Sequence, residues 1–208
     1  ISGQLLEKLQ AEGGYIVNAQ EKQKLQDIIW EDGHIASRIV AQPAENLAGM
    51  AGIDLPEGKR FFIVPETGAG PDYPFSGEKM SVVMTYYTVK DIDEAIAKTN
   101  EIQAYQGMGH SCGIYSTNDD NILKFGMETK TSRVMVNQPQ APSNSGNLWN
   151  GMRQTFSLGC GSWGGNGTNN NITWQDLVNV TWISKPLAKT KEIPADEILF
   201  AKAIDKLK

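Results

Sequence analysis

The chain has 208 residues, 40% hydrophobic and 21% charged, with a formal net charge of −5; this is the profile of a globular domain large enough to bury a core. The acidic balance argues against nucleic acid or an anionic membrane as partner, and no apolar run approaches the roughly 20 residues of a membrane span. Cys112 and Cys160 are too few for a disulfide framework, so a reducing, cytoplasmic setting is expected; the polar start (ISGQ) shows no signal-peptide pattern and, lacking Met, suggests further residues upstream.

The first third reads as helical. Leu5, Leu6 and Leu9 make one apolar stripe closed by Gly13-Gly14, and Leu25, Ile28 and Ile29 another closed by Asp32-Gly33. His34 falls near that turn and reads as solvated. Pro43 suits the first turn of a third helix with Leu47 and Met50 facing inward and an end near Gly52. The period then changes. Residues 61–64 (FFIV) and 81–89 (SVVMTYYTV) are apolar, β-branched and aromatic, as strands are. Asp91 and Glu94 have capping-box spacing before a helix carrying Ile92, Ala95 and Ile96, which Gly107-Met108-Gly109 stops. Short strands are predicted at 112–115 and 133–137 (RVMVN), separated by a helix that Asn118 can cap. Strands alternating with helices in this way predict an α/β fold with a largely parallel sheet.

From 139 to 171 the periodicity is lost in a run of Gly, Asn and Ser that contains Trp149 and Trp163. So long a loop is uncommon unless it is functional, and its tryptophans call for burial. Residues 177–183 (LVNVTWI) then predict a strong strand, isolated from the others, for which a neighbouring subunit's sheet is one partner. Ile198, Leu199, Ala203 and Leu207 have the spacing of a short amphipathic helix.

Three segments carry a resemblance: 75–87 (FSGEKMSVVMTYY), 106–115 (QGMGHSCGIY) and 158–166 (LGCGSWGGN). In this order, with RVMVN and a Gly-rich loop before the third, they resemble the CoA-acylating aldehyde dehydrogenases, both the aldehyde dehydrogenase domain of bifunctional aldehyde-alcohol dehydrogenases and its monofunctional relatives. The likeness runs to about Pro186, and the ending NVTWISKP is most similar to sulfoacetaldehyde and succinate-semialdehyde acylating dehydrogenases. It implies a three-layer α/β catalytic domain with an extended oligomerisation strand. The corresponding division is 1–138 for the catalytic domain without its nucleophile strand, 139–176 for a substrate-site loop region, and 177–208 for the oligomerisation strand and tail. The implied partners are a small aldehyde, NAD or NADP, coenzyme A and further copies of the chain, with no metal.

The resemblance also implies a mechanism. A cysteine thiolate attacks the aldehyde, hydride passes to nicotinamide, and coenzyme A takes the acyl group from the thioester. The family's nucleophile lies upstream of Ile1 and neither Cys112 nor Cys160 matches it, so this chain alone is expected to be inactive. Glu78 matches the glutamate that hydrogen-bonds the ribose beside the nicotinamide; by itself it reads as an exposed carboxylate next to Lys79. His110 matches a histidine near the thiolate and thioester, where an imidazole can receive a proton from a thiol; by itself it reads as a core histidine bonded to backbone. Arg133 and Arg153 flank the loop and read as surface charges, but a guanidinium fork there can select an aldehyde that ends in carboxylate or sulfonate. The sequence Gly159-Cys160-Gly161-Ser162-Trp163-Gly164 has the form G-x-G-x-x-G, yet a polar run follows it where a dinucleotide fingerprint needs a helix. The glycines are expected to turn the backbone around Trp163 at the mouth of the substrate site. Where relatives often continue Gly-Gly-Asn-Ser, this chain has Asn166-Gly167-Thr168. A non-acylating dehydrogenase and a non-catalytic assembly fragment are the alternatives, and the cofactor's phosphorylation state and a fused alcohol dehydrogenase domain stay open.

Overall fold

Local capping and long-range pairing together set the first elements. α1 (Ser2–Ala11) leads into β1 (Gly14–Ile16) and then α2 (Ala19–Ile29). A capping box starts α2: the Asn18 side chain accepts from the amides of Gln20 (2.9 Å) and Glu21 (3.0 Å), and the Glu21 carboxylate accepts from the Asn18 amide at 2.9 Å. A short antiparallel hairpin joins β2 (Trp30–Glu31) to β3 (His34–Ile35) through Asp32 and Gly33, both at positive φ, and leaves His34 exposed. α3 (Ala44–Ala51) begins after Pro43 and ends on Gly52 in the left-handed region. The first third is therefore not helical throughout. β1 has only three residues, so its strand character comes from a distant partner and not from a local pattern.

That partner is β4 (Phe61–Pro65), which lies between β1 and β5 (Val83–Tyr86) in an all-parallel sheet. Gly14 pairs with Phe61 and Ile16 with Ile63 on one side; Phe62 pairs with Val83 and Val64 with Thr85 on the other. Gly14 is needed in this register, because a Cβ there would come within 2.7 Å of both the Ile63 side chain and the Leu9 carbonyl. The central strand is buried on both faces, which is why its sequence is continuously apolar. Phe62 and Val64 pack with Leu25, Ile29, Leu47 and Phe75 in the main core, and Ile63 is equally buried.

The second half repeats the pattern on a smaller scale. α4 (Ile92–Tyr105) is capped by Asp91, which accepts from the Glu94 amide at 2.9 Å; Glu94 reaches back to the Lys90 amide, not to that of Asp91, so half of the predicted box forms. β6 (Cys112–Ile114), α5 (Asp119–Glu128, capped by Asn118) and β7 (Val134–Val136) follow. β6 and β7 are parallel and form a sheet of their own, with Ile96, Cys112 and Phe125 as its core. The parallel layer is thus realised as two sheets surrounded by helices, and α6 (Gln140–Asn144) follows β7.

The computed structural model describes residues 1–189 and 192–206, and they divide into two units, 1–173 and 174–208. The smaller unit holds a 3-10 turn, Trp174–Leu177, and the short helices α7 (Asp196–Leu199) and α8 (Ala201–Ile204). The strand predicted at 177–183 is absent: Leu177 closes the turn, and 178–183 has no regular secondary structure and is exposed, with Trp182 at 89%. A strand is defined by a ladder partner, and the described residues offer 178–183 none. Of the predicted tail helix, Leu207 lies outside the described residues. No helix among the described residues is long and apolar enough to cross a membrane.

Candidate functional site

Two loops meet at a cleft of about 590 Å³, one entering β5 and carrying Glu78, the other entering β6 and carrying His110. The first is anchored by Phe75, fully buried and edge-on to Trp30 at 4.9 Å between ring centroids. Lys79 closes this loop, donating from Nζ to the carbonyls of Phe75 (2.7 Å) and Gly77 (2.8 Å); Thr85 Oγ1 also donates to the Phe75 carbonyl. Burial lowers the Lys79 ammonium to about 8, and the nearby Glu78 charge opposes this only in part. The Glu78 amide donates to Gln106 Oε1 at 2.8 Å, which ties the loop to the end of α4. The Glu78 carboxylate is exposed and makes no hydrogen bond or ion pair among the described residues. Glu78 and Lys79 are therefore not a surface ion pair, as their adjacency suggests.

His110 is held through both backbone and ring. Its amide donates to the Gly107 carbonyl at 3.0 Å, and its carbonyl accepts from Arg133 at 3.2 Å. The ring's Nδ1 lies 2.8 Å from Ser111 Oγ, which also accepts from Gln140 Nε2 (2.9 Å) and Asn144 Nδ2 (3.2 Å). The ring is exposed along the cleft, so the reading of a buried core histidine fails. Behind it Gln103 is buried, with its Oε1 unpartnered among the described residues.

Arg133 is buried as well, and it is not the surface charge that its sequence context suggests. Its donors go to the carbonyls of His110, Gly159 (2.9 Å), Asn169 (3.2 Å) and Asn170 (3.0 Å), and to Asn171 Oδ1 (2.7 Å). With its fork occupied by protein oxygens, it cannot also grip a substrate anion. Burial lowers its pKa. Asn171 extends the frame, donating to the carbonyls of Asn144 (3.0 Å) and Arg153 (2.8 Å). The loop's glycines serve close approach: a Cβ on Gly109, at φ +82, would lie 2.1 Å from the Cys160 carbonyl oxygen.

The structure thus brings Glu78 and His110 into one cleft. Arg153 instead lines a second cavity of about 310 Å³ beside Arg133 and 169–171, and bonds Thr173. Trp163, in a 3-10 turn at Ser162–Gly164, is 46% exposed and lines neither cavity. Cys112 is a packing residue: burial raises its thiol pKa, against weaker opposing effects of its contact with Thr131 Oγ1 and of the bond it donates to Thr129 Oγ1. No cluster among the described residues suits a metal ion. Sequence reasoning missed Ser111, Gln140, Asn144 and Asn171. Ser111 alone carried a signal, as the hydroxyl next to a singled-out histidine; Asn171 was hidden in a low-complexity run.

The family model for the aldehyde dehydrogenases matches residues 73–174, which contain every residue lining the cleft. The chain is 38% identical over 194 residues to sulfoacetaldehyde dehydrogenase (acylating) of Cupriavidus necator, covering 92% of this chain and 39% of that protein. It is 39% identical over 201 residues to a sulfoacetaldehyde dehydrogenase of an Acholeplasma species, covering 94% and 41%. An acetylating aldehyde dehydrogenase from Geobacillus thermoglucosidasius has the same fold, with a TM-score of 0.83 at 30% identity over 91% of this chain and 42% of that one. The chain spans about two fifths of the length of these relatives. The unpaired carboxylate and the imidazole thus lie in one cleft whose two walls fall within the matched residues, and the chain is similar there to CoA-acylating members of the aldehyde dehydrogenase family.

Proposed function

We propose that the chain supplies one wall of the active site of an NAD(P)-dependent, CoA-acylating aldehyde dehydrogenase, with the nucleophilic cysteine contributed by polypeptide outside it. The observation that carries this reading is the pairing of Glu78 and His110 in one cleft, with Glu78 unpaired. A carboxylate is acceptor-only, and its two oxygens suit a vicinal diol. Glu78 would therefore hold the ribose of the nicotinamide cofactor, whose bound ring supplies the hydride acceptor. The cleft volume is in the range of small-ligand sites. His110 would stand beside the thioester where coenzyme A exchanges with the enzyme.

The two relatives' names favour a small anionic aldehyde such as sulfoacetaldehyde, and succinate semialdehyde shares the required charge. Arg153, which lines the second cavity, is our candidate for reading the anionic end, with Trp163 on the same loop. Residues 178–183, apolar and exposed at Val178, Val180, Trp182 and Ile183, would pair with a second copy to make a dimer or larger assembly.

The test uses the complete enzyme. NAD(P)H formation should depend on coenzyme A, and CoA-independent turnover to the free acid overturns the acylating assignment. Glu78→Gln should raise KM for the cofactor and lower kcat, while unchanged values for both remove Glu78 from the site.

A further inference from the structure

Ser111 is crowded in a way that fixes protons. A hydroxyl has one hydrogen to give and two lone pairs to receive with. The amide groups of Gln140 and Asn144 both donate to Ser111 Oγ, at 2.9 and 3.2 Å, and fill both lone pairs. The contact left to this oxygen is His110 Nδ1 at 2.8 Å, so the serine hydrogen must point at the ring, and Nδ1 must be the acceptor. In the neutral imidazole the other nitrogen then carries the proton. The backbone on either side is also fixed, with the His110 carbonyl held by Arg133 and the Cys112 amide bonded to the Arg133 carbonyl at 3.0 Å.

We infer that Ser111, Gln140 and Asn144 are a positioning set that locks neutral His110 as its Nε2–H tautomer, so that the ring offers the cleft a hydrogen-bond donor and not a lone pair. This deepens the proposed function and rests on its placing His110 beside the thioester. It changes what the residue does. In acyl exchange the thiolate sulfur of coenzyme A, its proton already lost to solvent, bonds the acyl carbon, and the bond from that carbon to the enzyme's sulfur breaks to release a thiolate. Negative charge builds on the thioester oxygen and on sulfur, and an Nε2–H aimed at either stabilises that charge without taking up a proton. Accepting a thiol proton at Nε2, the role drawn from family resemblance, needs the opposite tautomer. That tautomer's Nδ1–H would meet an oxygen with no free lone pair.

The chain has two histidines, and His34, exposed in its hairpin, is an internal reference. In protein labelled with 15N-histidine at a pH above the imidazole range, nitrogen–proton correlation spectra should show His110 wholly as Nε2–H and His34 as a tautomer mixture. Ser111→Ala should relax His110 to the mixture seen for His34, and Ser111→Thr, which keeps the hydroxyl, should restore the lock. In the complete enzyme Ser111→Ala should lower kcat for acyl transfer to coenzyme A roughly ten-fold, about the effect of one misplaced hydrogen bond, and Ser111→Thr should recover it. A protonated Nδ1 in the parent protein, or a His110 mixture matching that of His34, overturns the inference. Undiminished acyl transfer by His110→Ala overturns the proposed role of His110 and leaves the tautomer result standing, so the two failures are distinguishable.

Discussion

Replacing Arg133 by Met tests whether this arginine is a frame or a substrate reader. The change keeps an unbranched apolar stem but removes every donor, leaving four carbonyls and Asn171 Oδ1 without the partner they have in the folded chain. Hydrogen bonds to a charged group contribute ~1.5–3 kcal/mol each, so five amount to on the order of 10 kcal/mol. Relieving the buried charge of its desolvation penalty returns several of those, which leaves a net loss of about 3–5 kcal/mol. With a urea dependence of ~2 kcal/mol per M, the unfolding midpoint should fall by about 2 M. Arg133→Lys should fall in between, because an ammonium keeps the charge but not the planar fork. Urea titration followed by circular dichroism measures both. Hydrogen exchange should locate the loss at His110 and at 159–171. Should Arg133→Met keep the parent's midpoint while KM rises selectively for an anionic aldehyde, the frame assignment is wrong and the arginine reads substrate.

Lys79 makes stability depend on pH with a definite sign. Its folded value is about 8, against ~10.4 for an unfolded lysine. Between these the unfolded chain binds more protons, so stability should rise with pH across that window. Tyr87, pushed up to about 12 by burial, acts in reverse, and stability should fall again above pH ~10. Urea midpoints measured across the alkaline range should lose the rise in Lys79→Met; a rise that persists in the variant assigns it to another group. Gly109→Ala adds a Cβ that would sit 2.1 Å from the Cys160 carbonyl oxygen, at a φ that side chains rarely adopt. It should cost more than the ~1 kcal/mol of an average substitution and should push the 159–164 loop away from His110, read as faster amide exchange there.

Much of the architecture was legible because it was local. The buried central strand announced itself as FFIV, Asn118 and Asp91 as caps, and Gly52 as a helix stop. What escaped was set by partners distant in sequence. β1 exists because Phe61, Phe62 and Ile63 lie beside it. The segment 178–183 has strand composition without a ladder, and composition cannot create the missing partner. Burial of Arg133 was invisible for a similar reason. Its acceptors are mostly backbone carbonyls, which every residue carries, so no side-chain pattern marks them. Glu78 and His110 stood out through motif resemblance, whereas the amides that orient His110 come from α6, about 30 residues further on.

Two cations, Arg133 buried and Lys79 half-buried, explain why the cleft can keep a bare carboxylate. Lys79 is adjacent to Glu78 in sequence, yet its ammonium bonds the Phe75 and Gly77 carbonyls; Arg133 likewise bonds carbonyls of the loops behind His110. Positive charge is thereby used to fold the loops back on themselves, and among the described residues no lysine or arginine lines the cleft. A cation placed there would pair with Glu78 and compete with any hydroxyl ligand for its oxygens. Among amides, hydroxyls and one imidazole, the carboxylate keeps both oxygens as acceptors, which is the state a ribose diol requires. The separation also accounts for the contrast in burial, in which Arg133 is covered and Lys79 half-covered while Glu78 and His110 remain exposed to whatever enters between them.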